Sequence, residues 1–276
     1  VTGGPNQPSA SPRAKGPLRI MPRIELNDRS RFLTAGLTVV VQMFLYHALW
    51  SSLYGAADVV VAGANATQST SYSVLAVLST VITWASRSYS KETMRSLVNE
   101  GRIMYWFLRP MAPRRFYFLR VVGELLYGTA WLLPAVVLAV SAGLVMPPPS
   151  AAALFAALVG FALGQVVAYY LRSCVDLACF WFTTNESTIR IYFFVQALLS
   201  GALVPLWFFP PWFGEMSSWL PFQGIHHIPL SVYVGRRPLE TLPCDLFVAL
   251  CWVAVLGLVT RVMWRAAARR VSVQGG

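Results

Sequence analysis

The chain has 276 residues, 56% of them hydrophobic and only 12% charged, with a mean hydropathy of +0.56. That balance lies outside the range of soluble globular domains and reads as a membrane protein. A formal net charge of +11 suits a nucleic-acid binder as well as a topology signal, so the basic residues have to be located relative to the apolar runs.

Residues 1–19 are rich in Gly, Pro and Ser and lack an apolar core, which predicts a disordered cytoplasmic tail and not a cleaved signal peptide. A bilayer core of about 30 Å needs about 20 helical residues. Six segments qualify, at 32–54, 71–89, 121–146, 151–182, 191–209 and 244–264. The expected fold class is therefore all-α: a polytopic membrane protein with six transmembrane helices over residues 20–276. Pro134 predicts a kink in the third span.

Cytoplasmic loops retain Lys and Arg. Of the 22 such residues, six lie before the first span, eight between Arg87 and Arg120, one at Arg190 and four between Arg261 and Arg270; only Arg236 and Arg237 fall on the opposite side. Arg172 lies about 32 Å along the fourth span, at the inner interface, where it and Asp176 are expected to snorkel; a buried ion pair with a transport role is the alternative. Glu124 and Asp58 read as residues at span ends. Topology thus explains the basic composition without nucleic acid and puts both termini in the cytoplasm.

The inner loop between the second and third spans is unusual. On a continuous helix from Met94, the residues Met94, Leu97, Val98, Gly101, Met104, Tyr105 and Leu108 share one face and Arg95, Asn99, Arg102 and Arg109 another. Such a helix suits the inner membrane surface. Ile103, Trp106 and Phe107 then fall on the water-facing side, mixed with arginine, as in a protein-interaction surface. Pro110 ends the helix.

On the outer side, residues 210–243 are apolar but broken by six prolines, so they cannot span. They predict a re-entrant cap of short helices, because irregular backbone at membrane depth must pack in protein or line a wet cavity. His226 and His227 read as a polar patch on that cap. Cys174, Cys179, Cys244 and Cys251 form no CxxC pair and have no metal-ligand spacing with histidine, which predicts free, buried thiols and no metal site. The sequons at Asn65 and Asn185 read as chance matches.

Three stretches carry a family resemblance: EGRIMYWFLRPMAPRRFYFLRVVGE at 100–124, LSGALVPLWFFPPWFGEMSSWLPFQGIHHIPLSVYVG at 199–235, and the terminal RRVSVQGG. Over nearly its whole length the chain resembles the permease subunit of a type-2 ABC exporter, in the branch where two permeases, often different chains, pair with two copies of a separate ATPase. The resemblance implies a coupling helix at about 92–109 seated in a cleft of the ATPase, with Arg95, Glu100, Gly101, Arg102, Ile103, Trp106 and Phe107 at the contact. It also implies a short surface helix at 20–31 and paired re-entrant helices at about 210–235, with Pro205, Pro210, Trp212, Pro221 and Phe222 marking the cap.

The location implied is the bacterial inner membrane, and the partners are that ATPase, a second permease, the lipid bilayer and a small-molecule substrate. No cofactor is expected in this chain, which is not expected to be an enzyme: it has no Gly-Lys dipeptide and so no phosphate-cradling loop, leaving ATP and Mg to the partner.

For substrate contact the candidates are Phe44, Trp50, Trp84, Phe193 and Gln196, aromatic or polar groups within the first, second and fifth spans. A hydrophobic or amphipathic drug-like molecule, cationic ones included, is the class the resemblance suggests. Two other readings stay open. An ion-coupled secondary transporter would hold ionisable groups at mid-membrane. An intramembrane enzyme would need a nucleophile–base set or a metal motif, and the chain has neither HExxH nor GxSxG.

Overall fold

The structure, a computed structural model, describes residues 29–55, 60–88, 93–182 and 186–274. The expected tail at 1–19, Asp58 and Asn185 lie outside the described residues. So does most of the expected surface helix at 20–31, whose last residues, from Arg29, belong to the first described helix.

The described residues are helical, with one isolated β-bridge between Val61 and Ala64. In chain order the α-helices are α1 (Arg29–Tyr54), α2 (Ala66–Ser88), α3 (Met94–Asn99), α4 (Met104–Phe107), α5 (Pro113–Ser141), α6 (Ala151–Leu177), α7 (Glu186–Leu199), α8 (Pro211–Ser218), α9 (His227–Tyr233) and α10 (Leu242–Gln274). Among the described residues, three stretches are both long and apolar enough to cross a bilayer: Gly36–Tyr54, Ala151–Phe180 and Leu239–Val271.

Helix α2 is long enough, at 23 residues, but rich in Ser and Thr. It is nonetheless well enclosed, with Ser69, Ser71, Tyr72, Val74 and Leu78 all essentially buried. Its hydroxyls are satisfied inside the protein. Trp50 Nε1 donates to Ser73 Oγ at 2.8 Å, the Met146 amide donates to Ser71 Oγ at 2.8 Å, and Thr80 and Thr83 donate back to their own helix. Small polar residues let helices approach closely and hydrogen-bond between them where water is absent. Asn65 caps this helix: the Gln68 amide donates to Asn65 Oδ1 at 2.7 Å and the Asn65 amide to Gln68 Oε1 at 3.3 Å. The sequon asparagine therefore has a structural role, and Asn65→Ala should lower stability by about 1 kcal/mol, read as a fall in melting temperature.

The fifth span differs most from expectation. Helix α7 has 14 residues, about 21 Å at 1.5 Å per residue, and stops at Leu199. Gly201 takes φ +73° and the Ala202 amide donates to Ala197 O at 3.1 Å, so the helix ends in a left-handed cap well before Phe209. The third expected span starts earlier than read, because Pro113 is well placed at the first helical turn; Pro134 lies inside the helix it predicts to kink.

Two groups of helices result. Helix α2 packs against α1 and α5, whereas α6 packs along α10 and touches α7. Helix α9 bridges the groups at one end of the molecule, touching both α6 and α2. At the other end a single apolar cluster joins α3, α4, α5, α6 and α10 through Leu97, Trp106, Phe116, Leu177 and Trp264.

The α8–α9 hairpin (Pro211–Tyr233) at the first end rests on small residues. Ala156, Gly160, Gly164 and Ala168 recur every four residues on α6 and are all buried. A Cβ on Gly164 would come 2.2 Å from the Gly224 carbonyl oxygen. Among the expected cap residues, Pro205 and Pro221 are buried, Phe222 packs against Val167 and Ile225, and Pro210 and Trp212 are exposed. The histidines point inward, not to the surface: His226 Nδ1 pairs with Ser79 Oγ at 2.8 Å and His227 Nδ1 with the Tyr72 hydroxyl at 3.2 Å, fastening the hairpin to α2. The thiols are free, but only Cys179 is buried; Cys244 and Cys251 are exposed on α10, because they fall off its packed face.

Candidate functional site

At the clustered end, Thr93 opens α3, its hydroxyl accepting the Ser96 amide at 3.1 Å. The helix closes at Asn99, and Gly101 adopts φ +68° with open space where a Cβ would stand. Backbone conformation, not crowding, is what calls for glycine there. The Ile103 amide returns to Leu97 O at 2.9 Å, and α4 begins with a new phase.

That break corrects the continuous wheel. Ile103 and Trp106 do not face water; they are 3% and 5% exposed within the joining cluster. Trp106 meets Phe116 edge-on at 4.8 Å between ring centroids, and the Arg109 guanidinium lies 4.3 Å from the Phe116 ring centre. The surface is formed instead by Glu100, Gly101, Met104, Tyr105 and Leu108, with Tyr105 64% exposed, while Arg95, Arg102 and Phe107 are half-buried. An ion pair of 2.6 Å between Arg102 and Glu100 ties the apex of the turn. The result is an exposed knob of mixed aromatic and charged groups on a buried aromatic anchor.

A second site lies at the seam of the two helix groups. A small, part-open cavity of about 20 Å³, roughly water-sized, is walled by Val121, Leu125, Ala168 and Tyr169 and carries Thr83, Gln165, Arg172 and Gln196 as its polar groups. Tyr192 and Phe193 complete the lining from α7. Of the substrate candidates, Phe193 and Gln196 meet here. Trp50 lies elsewhere, stacked on Phe208 at 4.9 Å, and Phe44 sits on the exposed side of α1; the side chain of Trp84 is outside the described residues.

Below the cavity, Arg120, Glu124, Arg172 and Asp176 form a buried ionic cluster. Arg120 pairs with Glu124 at 3.2 Å, Arg172 with Asp176 at 3.3 Å, and Arg172 reaches Glu124 at 3.8 Å; the Tyr117 hydroxyl donates to Asp176 at 2.8 Å. Arg172 and Asp176 are therefore packed in protein rather than snorkelling, and Glu124 is buried, because α5 and α6 face each other at this level. Removing one member of such a cluster strands its partner's charge. Glu124→Ala should cost about 3–5 kcal/mol, measured as loss of folded protein in detergent melts, and Glu124→Gln less.

Two features escaped the sequence reading although both left a signal. Gln165 is a lone amide inside an apolar helix, a mark of a packed or wet site. The four-residue spacing of small residues on α6 marks close helix packing in the same way. Among the described residues no three His, Cys, Asp or Glu side chains gather as a metal would require.

Comparison with known families matches residues 37–275 to the one described as "ABC-2 family transporter protein". No curated protein and no solved structure gives a significant match.

Proposed function

This chain belongs to the ABC-2 transporter family, and from that premise we propose that it is the membrane-spanning subunit of an ATP-driven exporter. A separate ATPase engages the turn at 93–109, and two permease subunits, of the same or different chains, enclose the pathway. Both termini lie in the cytoplasm of a bacterial inner membrane.

The observation that carries this reading is the exposed apex from Glu100 to Leu108 mounted on buried Ile103 and Trp106. A rocking motion of a partner pressed on this knob would be transmitted to α5 and α6 rather than absorbed by a loop, since the anchor residues pack directly on both helices. The basic residues support the orientation: Arg95, Arg102, Arg109, Arg114, Arg115, Arg265, Arg269 and Arg270 lie on the elements that meet at the knob end, and Arg236 and Arg237 at the hairpin end.

The test is copurification with the ATPase encoded beside this gene, followed by ATP-dependent transport in proteoliposomes. ATP hydrolysis unaffected by the permease, together with no stable complex, would sink the proposal. Ion-coupled transport has one observation in its favour, the buried cluster around Arg172. It predicts transport that follows an imposed proton or sodium gradient in vesicles without ATP.

A further inference from the structure

Gln196 is 1% exposed on α7, and its amide nitrogen has no hydrogen-bond partner in the protein. Gln165 on α6 lines the same seam cavity, and one end of its amide faces Thr83 Oγ1 on α2 at 3.2 Å. The single Thr83 hydroxyl proton is engaged by Ser79 O at 3.1 Å, which leaves the Thr83 oxygen able to accept and lets the Gln165 amide stand either way round. In both orientations one end of that amide meets Thr83 and the other is buried without a partner. Buried polar groups of folded proteins are almost always paired, with protein or with ordered water. The cavity that both amides line has about 20 Å³ of free space, room for one water and nothing larger.

We propose that the seam cavity is a hydration site, holding one ordered water that bonds Gln165 and Gln196 at once. Water suits both orientations of each amide, because it accepts from an N–H and donates to a carbonyl oxygen. The surroundings select against an ion. Arg172 at the cavity wall disfavours a metal cation, and its charge is already matched by Asp176 and Glu124, which leaves none to hold an anion. The water has a structural use as well. It ties α7 to Gln165 on α6, and Gln165 meets Thr83 on α2, so the bridge joins the two helix groups where they face each other. A water-mediated link of this kind is enthalpically nearly as good as a direct hydrogen bond.

The hydration site stands apart from the transport reading, and its test uses neither ATP nor substrate. The full chain in nanodiscs is exposed to X-ray radiolysis, which makes hydroxyl radicals in place from ordered internal waters, and oxidised side chains are mapped by mass spectrometry. Tyr169 and Phe193, which line the cavity, should be oxidised in the parent protein and severalfold less in Gln196→Met. Tyr170, outside the cavity, should react equally in both. Unoxidised Tyr169 and Phe193 in the parent, or oxidation that Gln196→Met does not reduce, would overturn the proposal.

Melting temperatures supply a second readout whose sign differs between a wet and a dry cavity. With water in place, Gln196→Met and Gln165→Met each remove a bonded amide and strand the one opposite, and each should lower the melting temperature by about 2–4 °C. The double variant removes both amides together, so it should melt no lower than either single variant. In a dry cavity each single variant would instead delete an unsatisfied group and melt at the parent temperature or above it. That result, or strictly additive losses in the double variant, would equally overturn the shared water.

Discussion

Trp106→Ala should remove the ATP-dependent transport proposed for this chain while the protein remains inserted in the membrane. Truncating a buried tryptophan costs about 3–5 kcal/mol, and here the cavity opens beneath a turn of only a few residues, between Phe116 and Leu97. The knob then loses its fixed relation to α5 and α6, and a push from a partner moves the turn without moving the bundle. Tyr105→Ala is the matched comparison. Tyr105 is largely exposed, so stability should change by no more than about 0.5 kcal/mol, and any loss should be in ATPase association. Measuring transport, complex formation and melting temperature for both variants separates anchor from contact. Full transport by Trp106→Ala at normal membrane levels would contradict the anchoring role, and an unchanged complex with Tyr105→Ala would move the contact elsewhere on the knob.

The second large effect is expected at Gly164. Its missing Cβ is replaced by the backbone of the hairpin, and an alanine there would sit 2.2 Å from Gly224 O and 2.8 Å from Ile225 Cα. Backbone cannot swing aside as a side chain does, so α6 and the hairpin must separate. Overpacking of this kind costs about 1–3 kcal/mol, and here it also strains the contacts of Ile225 and His226 with the rest of the bundle. Gly160→Ala supplies the control, since a Cβ there meets Pro229 at an ordinary 3.6 Å. Protease susceptibility at 210–235 should rise sharply for Gly164→Ala and stay at the parent level for Gly160→Ala. Equal behaviour of the two variants would refute the close-packing account.

The sequence made the apolar helices legible where length and hydropathy coincide, as in α6 and α10, and the proline-broken cap was legible from backbone chemistry alone. The inner turn was legible as a special segment, but its faces were not. A helical wheel assumes one phase, and a single left-handed residue at Gly101 resets it, turning Ile103 and Trp106 from surface to core. Helix α7 was misjudged for a related reason: hydropathy runs on through Leu203 and Phe209, whereas the helix stops at Leu199 and Gly201 turns the chain. The ionic cluster was hidden because burial of Glu124 and Asp176 depends on which faces of α5 and α6 meet, which spacing along one chain does not encode. Of the substrate candidates, Phe193 and Gln196, named from their place in the fifth span, line one cavity, while Gln165 required the fold to bring it beside them.

The early end of α7 has a wider consequence. At about 21 Å the helix is shorter than a hydrocarbon core of about 30 Å, and the chain beyond it, at 200–210, is mostly irregular backbone. Side chains from other helices support that backbone, with the Tyr72 hydroxyl donating to Gly201 O and the Tyr46 hydroxyl to Leu203 O, each at 3.0 Å. Thinning or thickening of the bilayer is accommodated by a full-length helix through tilt, an option this segment lacks. Were this segment to cross a bilayer, a change in thickness would bear first on the two tyrosine hydrogen bonds that hold the backbone beyond the helix.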